Sequence, residues 1–322
     1  MKAVVIKEYG GPEVLVVEEV LKPTIKEDEV LIQVKAAGIN RPHIIQRQGK
    51  YPAPVGVVQN IPGLEVSGVV VEKGNNVQNI EIGDRVIALV SGGGYAEYVN
   101  AHFGSVIPMP IGLSYEDGAA LPETIYTVWH NLFQRGNLKA GQSVLIHGGA
   151  GGIGATAIQM SKLYGAKVIT TVSTKEKEDF VLSLGVDLVI NYRTTSFDEF
   201  LQGYQVDVVL DFVGGEYFNR NINVLKEDGH LIYINAMKGA KVELNLLKMM
   251  QKRLTITGST LRNRSSDFKM ELTDQIVKKV LPFIEEGNLK ANIYKEFAFN
   301  DASKAHELME SGDFLGKLVL VF

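Results

Sequence analysis

The chain opens in short apolar alternations. Val30-Leu31-Ile32-Gln33-Val34 and Val66-Ser67-Gly68-Val69-Val70-Val71 carry the strand signature, with Gly, Pro and Asn turn signals between them. Ala3-Val4-Val5-Ile6 is a further strand-like run, and Gly83-Asp84-Arg85-Val86-Ile87-Ala88 reads as a turn feeding another strand. Gly92-Gly93-Gly94 is a flexible loop. This first region is expected to fold as a compact, partly open barrel. Pro108 to Pro122 is rich in Pro, Gly and small residues and reads as a crossing between domains, after which Thr124 to Phe133 has helical spacing.

From Ser143 the rhythm changes. Ser143-Val144-Leu145-Ile146-His147 is a short buried strand, and Ile153, Ala157, Met160 and Tyr164 then fall on one helical face. Gly165 ends that helix and Ala166 to Val172 is the next strand. The pattern continues with a helix around Glu178–Leu184, strands Asp187–Ile190 and Asp207–Phe212, a helix around Asn219–Leu225, and strands His230–Ile234 and Leu254–Thr257. Strands alternating with helices across short loops predict an α/β fold with a doubly wound parallel sheet of Rossmann type. The tail predicts helices over Asp274–Glu286 and Ala302–Ser311 and a closing strand, Lys317–Phe322, that returns to the first domain. The expected division is residues 1–123, residues 124–264, and a return segment of 265–322.

The chemistry starts where the first strand of the alternating region meets its helix. Gly149-Ala150-Gly151-Gly152-Ile153-Gly154 places a G-x-G-x-x-G fingerprint after a predicted strand and at the start of a predicted helix, the context a dinucleotide loop requires. Its glycines let backbone approach a pyrophosphate, and the helix N-terminus offers free N–H groups and a positive dipole end. NAD-preferring sites place a carboxylate at the end of the second strand, about 20 residues past the loop. Here the chain reads Thr171-Val172-Ser173-Thr174-Lys175-Glu176-Lys177. A hydroxyl at Ser173 followed by lysines suits a 2′-phosphate, so NADPH is expected over NADH. Lys175 and Lys177 also read as solvated charges at a helix start.

Composition removes several classes of function. The 322 residues hold 45% hydrophobic and 22% charged side chains, an ordinary globular balance large enough for two cores. Net charge is −4 with no basic block, which argues against nucleic acid. No apolar run reaches the roughly 18 residues of a membrane span. Met1-Lys2 leads into an apolar run too short for a secretion signal, so a cytoplasmic enzyme is expected. The chain has no cysteine, which excludes disulfides, thiolate nucleophiles and cysteine-held zinc. No Ser–His–Asp arrangement stands in a supporting context. His102, His130, His147, His230 and His306 read as structural or exposed.

With these pieces placed, the whole chain resembles the medium-chain dehydrogenase/reductase superfamily, and within it the ζ-crystallin-type quinone oxidoreductases. The residues that carry the likeness are Ala37-Gly38-Ile39-Asn40-Arg41, Gln46 to Tyr51, Gly63-Leu64-Glu65-Val66-Ser67-Gly68, the His147–Gly154 loop and Ile190-Asn191-Tyr192. The resemblance implies a GroES-like catalytic domain beside the Rossmann domain. Positions that hold the catalytic zinc in alcohol dehydrogenases correspond to Asn40, Leu64 and Glu123, a poor metal set, and Pro42 stands where those enzymes carry a proton-relay hydroxyl. A zinc-free member is therefore expected. Without a Lewis acid an unactivated alcohol is hard to oxidise, whereas hydride addition to an electron-poor acceptor is easier.

The resemblance also implies residue roles. Asn40 and Thr127 would contact the nicotinamide end of the cofactor, and the glycine loop, Gly149, Gly151, Gly152, Ile153 and Gly154, its pyrophosphate. Ser173, Lys177 and Tyr192 would hold the 2′-phosphate, and Val213, Asn235 and Leu261 would line the cofactor from three later loops. Tyr51 is the candidate for touching the acceptor by stacking or hydrogen bonding. The plain alternatives are that Tyr192 packs on adenine, Asn40 is a turn amide and Tyr51 is a loop anchor. His43 stands where many relatives have aspartate. The expected activity is NADPH-dependent reduction of quinones; the alternatives are reduction of an activated C=C bond in an enone or enal, and nucleotide binding with little turnover. A homodimer through the sheet edge near Leu254–Thr257 is expected on family grounds.

Overall fold

A computed structural model describes all 322 residues. Its longest strand is the apolar run Glu29–Ile39, buried on both faces: Val30, Leu31, Ile32, Ala36, Ala37 and Ile39 are all inaccessible to solvent. Each fully buried aliphatic side chain contributes roughly 1.5–3 kcal/mol relative to exposure, which fixes the strand's place at the sheet centre. The strands before the crossing are β1 Lys2–Ile6, β2 Leu15–Glu19, β3 Glu29–Ile39, β4 Glu65–Lys73, β5 Arg85–Leu89, β6 Tyr98–His102 and β7 Val106–Pro108. The alternating region adds β8 Ser143–Ile146, β9 Lys167–Val172, β10 Leu188–Asn191, β11 Val206–Asp211, β12 Leu225–Tyr233 and β13 Thr255–Gly258. The tail adds β14 Ile293–Ala298 and β15 Lys317–Val321.

Two compact units result, one of Met1–Tyr126 with Arg262–Phe322 and one of Thr127–Leu261. The first is a seven-stranded sheet in the order β14-β15-β3-β4-β5-β7, with β6 also paired to β3, beside a two-stranded sheet of β1 and β2. The closing strand does return: β15 runs antiparallel to β3, pairing Leu318 with Ile39 and Leu320 with Ala37. The second unit is a six-stranded parallel sheet in the order β10-β9-β8-β11-β12-β13. The chain winds outward from β8 to β10 and then crosses to build β11 to β13 on the other side. No helix is long and apolar enough to cross a membrane.

Several expectations need correction. The unit boundaries lie after Tyr126 and Leu261, not after 123 and 264. Residues 124–126 and 262–264 belong to the first unit because Tyr126 hydrogen-bonds Thr273 at 2.6 Å and Arg262 Nε donates to the Ser91 carbonyl at 2.7 Å. The helix expected over Asp274–Glu286 is two helices, Ser266–Lys279 and Leu281–Glu285. Ser265 caps the first by accepting from the Phe268 N–H, and Pro282, which has no N–H to donate, starts the second. The stretch expected as a helix over Thr124–Phe133 is an α-helix, Pro122–Val128, continued by a wider π-helical segment, Trp129–Arg135. The strand β14 and the helix Leu246–Lys252 were not expected at all. The first carries Lys295 and Glu296 on an edge, and the second buries no residue although Leu246, Leu247, Met249 and Met250 recur at helical spacing.

Candidate active site

In the second unit the site is built at the carboxyl edge of the parallel sheet. β8 ends at Ile146, and the chain passes through His147 and Gly148, the latter at φ +62°, into the helix Gly152–Leu163. The loop is tied down from behind. Gly148 N–H donates to Thr171 Oγ1 at 3.2 Å and Gly149 N–H to the Thr171 carbonyl at 3.2 Å. A Cβ at Gly154 would stand 2.4 Å from the Gly148 carbonyl oxygen and 2.7 Å from Gly149 Cα. Only glycine permits that approach, and it keeps the turn close against the helix start. Gly151 caps the helix without any side-chain bond, leaving the first N–H groups for a ligand. Gly149, Gly151, Gly152, Ile153 and Gly154 therefore form one cradle whose chemistry fits a pyrophosphate.

The remaining second-unit residues collect along the same edge. Asn191 of β10 pairs with Val172 of β9, so Ser173 and Tyr192 leave the sheet side by side. Ser173 is buried and Tyr192 is exposed. Thr174 accepts from the Lys177 N–H at 3.3 Å and starts the helix Lys175–Ser183. Lys175 pairs with Asp179 at 2.9 Å and Glu178 at 3.4 Å in solvent, as the surface reading of that residue had it. Val213 follows β11, Asn235 follows β12 and Leu261 follows β13. Thr127 is joined to this edge indirectly: its carbonyl accepts from Asn131 Nδ2 at 2.9 Å, and Asn131 Oδ1 accepts from Ser259, just past β13, at 2.9 Å.

His147 is part of the scaffold. Its Nε2 donates to Asn221 Oδ1 at 2.8 Å, Asn221 Nδ2 donates to Asp211 Oδ2 at 2.9 Å, and Asp211 Oδ1 accepts from the Val213 N–H at 2.6 Å. Thr171 Oγ1 lies 3.2 Å from His147 Nδ1. Burial holds the ring's pKa below its usual value, so the imidazole is neutral and links the glycine loop to the Val213 loop.

The first unit carries a separate constellation around Asn40. The Asn40 amide is held at both ends: Nδ2 donates to Glu65 Oε1 at 2.7 Å and Oδ1 accepts from Lys317 Nζ at 2.7 Å. Lys317 also donates to Glu65 Oε1 at 2.5 Å and to the Ile39 carbonyl at 3.3 Å, and Glu65 Oε2 accepts from the Glu123 N–H at 2.8 Å. Glu65 and Lys317 are almost wholly buried. Gly38 makes the room, since a Cβ there would stand 2.1 Å from Glu65 Oε1. Asn40 N–H donates to His43 Nδ1 at 3.1 Å, and Tyr95 OH donates to the same nitrogen at 2.8 Å. Tyr95 in turn accepts from His306 Nε2 at 3.3 Å, whose Nδ1 accepts from the buried Arg47 at 3.3 Å. His43 is therefore a hydrogen-bond acceptor through Nδ1.

These residues do not suit zinc. Leu64 offers no ligand atom, and an ammonium already stands against the Asn40 and Glu65 oxygens, where it would repel a dication. The carboxyl of Glu123 is pushed up to about 7, first by burial and then by the Glu65 charge, with Lys317, Lys269 and Arg262 opposing.

A second cluster holds Tyr51. Its ring lies 5.2 Å from the Arg262 guanidinium and its carbonyl accepts from Arg262 Nη1 at 3.2 Å. Arg262 Nη2 donates to Gln46 Oε1 at 2.8 Å. Burial raises the Tyr51 pKa, so it remains a neutral phenol. Sequence reasoning missed Lys317, Arg262 and Lys269, and it used Glu65 only as part of a motif. A charge inside an apolar strand, Lys317-Leu318-Val319-Leu320-Val321, is the signal that would have found the first, because such a charge demands a buried partner.

Residues 26–111 match the alcohol dehydrogenase GroES-like domain, and residues 152–278 match the zinc-binding dehydrogenase family. A human quinone oxidoreductase is 30% identical over 328 residues, covering 100% of this chain and 98% of its own length. A chloroplastic NADPH-dependent alkenal/one oxidoreductase of Arabidopsis thaliana is 33% identical, covering 99% of this chain and 79% of the relative. The structure of Escherichia coli quinone oxidoreductase complexed with NADPH superposes with a TM-score of 0.88 at 30% identity, with both chains fully covered. The chain belongs to the medium-chain dehydrogenase/reductase superfamily, as an oxidoreductase of the quinone-oxidoreductase type.

Proposed function

We propose that the protein is a zinc-independent, NADPH-dependent reductase that delivers hydride to quinones. The observation that carries this reading is the Lys317 ammonium bonded to Glu65 and to Asn40, a position that by resemblance corresponds to a zinc ligand. An enzyme so built has no Lewis acid for alcohol oxidation and suits acceptors that are already electron-poor.

NADPH would be held by the glycine cradle, by Ser173, Lys177 and Tyr192 at the adenosine end, and by Thr127, Val213, Asn235, Leu261 and Asn40 toward the nicotinamide. Bound there, it supplies the hydride. The chain's own residues bind and orient: the helix dipole meets the pyrophosphate, and Lys177 meets the 2′-phosphate. Tyr51, a neutral phenol with a face already stacked on a guanidinium, is proposed to contact the acceptor.

The Arabidopsis relative favours a second reading, reduction of the C=C bond of an enal or enone. A steady-state assay of NADPH oxidation against a quinone series and an enone series separates the two. Higher kcat/KM for quinones is expected, and turnover of enones alone overturns the quinone reading.

A homodimer is proposed to form through β13. That strand pairs only with β12, and beside it the helix Leu246–Lys252 leaves Leu246, Leu247 and Met250 about 60% exposed.

A further inference from the structure

Near Tyr51 the first unit buries two cations that no carboxylate pairs. Arg262 and Lys269 are only 6% and 7% exposed. Arg262 donates to the Ser91 carbonyl, the Tyr51 carbonyl and Gln46 Oε1; Lys269 donates to Ser91 Oγ at 2.9 Å and the Arg262 carbonyl at 3.1 Å. Every partner is neutral. A guanidinium has five N–H groups and an ammonium three, so hydrogens on Nη1, Nη2 and Nζ remain to be matched. Gly92 presents no side chain toward Nη2; a Cβ there would stand 3.4 Å from Nη2 and 2.8 Å from Val57 Cγ1.

Buried charges are ordinarily paired, because removing an ion from water costs several kcal/mol. The carboxyl group that interacts with both is Glu123, which forms no ion pair with either and whose own pKa is pushed up, chiefly by burial. Lys317 lies on the same side of the balance, but its charge is matched by Glu65. The Arg262–Lys269 pair is therefore an uncompensated positive site, next to an aromatic face.

We propose that Arg262 and Lys269 seat the oxygen of a carbonyl acceptor, and bind its phenolate or enolate product form more tightly than the neutral one. This rests on the reductase reading above. The acceptor gains a C–H bond at its electrophilic carbon from a hydride of the reduced nicotinamide. The displaced π pair settles on the carbonyl oxygen as an oxyanion, and water protonates it. Charge appears at that oxygen only during the reaction, so fixed cations there favour the transition state over the ground state.

The probe is 4-nitrophenol, whose phenol and phenolate forms absorb differently, titrated into the full chain across pH. Preference for the phenolate lowers the bound probe's apparent pKa, and a shift of about one unit corresponds to a tenfold preference. Lys269→Gln should reduce that shift and lower kcat for a quinone more than it raises KM. Arg262→Gln should do the same more strongly. Arg262 also ties the helix Arg41–Arg47 to the Tyr51 and Ser91 loops, so Lys269→Gln, which spares those bonds, decides the matter if Arg262→Gln fails to fold. Absence of probe binding, binding without a shift, or an unchanged shift in Lys269→Gln overturns the assignment. The titration needs no turnover. A protein that shifts the probe yet reduces neither quinone nor enone refutes the reductase reading alone; one that reduces quinones without shifting the probe refutes only the oxyanion seat.

Discussion

Asn40 shows how a residue's meaning depends on its partners. Read in sequence it is an amide beside a cofactor or a turn residue; in the fold it lies between a buried ammonium and a buried carboxylate. Breaking such a pair leaves the other charge stranded, a cost of about 3–5 kcal/mol. Lys317→Met should lower stability by that amount in urea denaturation, and adding Glu65→Gln should recover part of it. A full additive loss in the double variant would show that the two charges do not compensate each other. Lys177 poses the matching question for the cofactor. Lys177→Ala should weaken NADPH binding by about 1.5–3 kcal/mol while leaving NADH nearly unchanged, measured by fluorescence titration. Equal losses would remove Lys177 from the 2′-phosphate site.

Among the elements, those with a clean period were legible. The helix Ala302–Ser311 and the parallel strands were readable because buried strands and amphipathic helices leave period and composition in the chain. The edge strand β14 and the helix Leu246–Lys252 were not, since neither buries a continuous face. That exposure is itself the argument for an interface. Leu247→Glu should shift the protein to monomer in sedimentation velocity without loss of secondary structure; a wild-type monomer at micromolar concentration would end the dimer proposal.

For the molecule as a whole, acid is the sensitive direction. His306 is held at about 3 and His43 well below its usual value, in both cases chiefly by burial. Unfolding frees each to bind a proton near pH 6.5, so the unfolded state gains protons as pH falls below that value. Their contribution to stability is present above pH 6.5 and is lost as pH falls below it, for His306 downward toward 3. Glu123 opposes this. Its folded value is raised from 4.5 to about 7, so its contribution declines as pH rises through that window. Glu123→Gln should therefore steepen the rise of stability between pH 4.5 and 7 in urea titrations, and an unchanged slope would show that Glu123 titrates normally.

What the sequence determined alone was local or compositional: the parallel sheet from its alternation, the phosphate loop from glycine spacing between strand and helix, and the lack of a thiolate site from the lack of cysteine. The tertiary structure decided which charges meet. Lys317 lies 252 residues from Glu65, and Arg262 lies 211 from Tyr51 and 216 from Gln46. Electrostatic energy depends on separation in space and on burial, and neither is written in the order of residues until the strand Lys317–Val321 has found its place beside Glu29–Ile39.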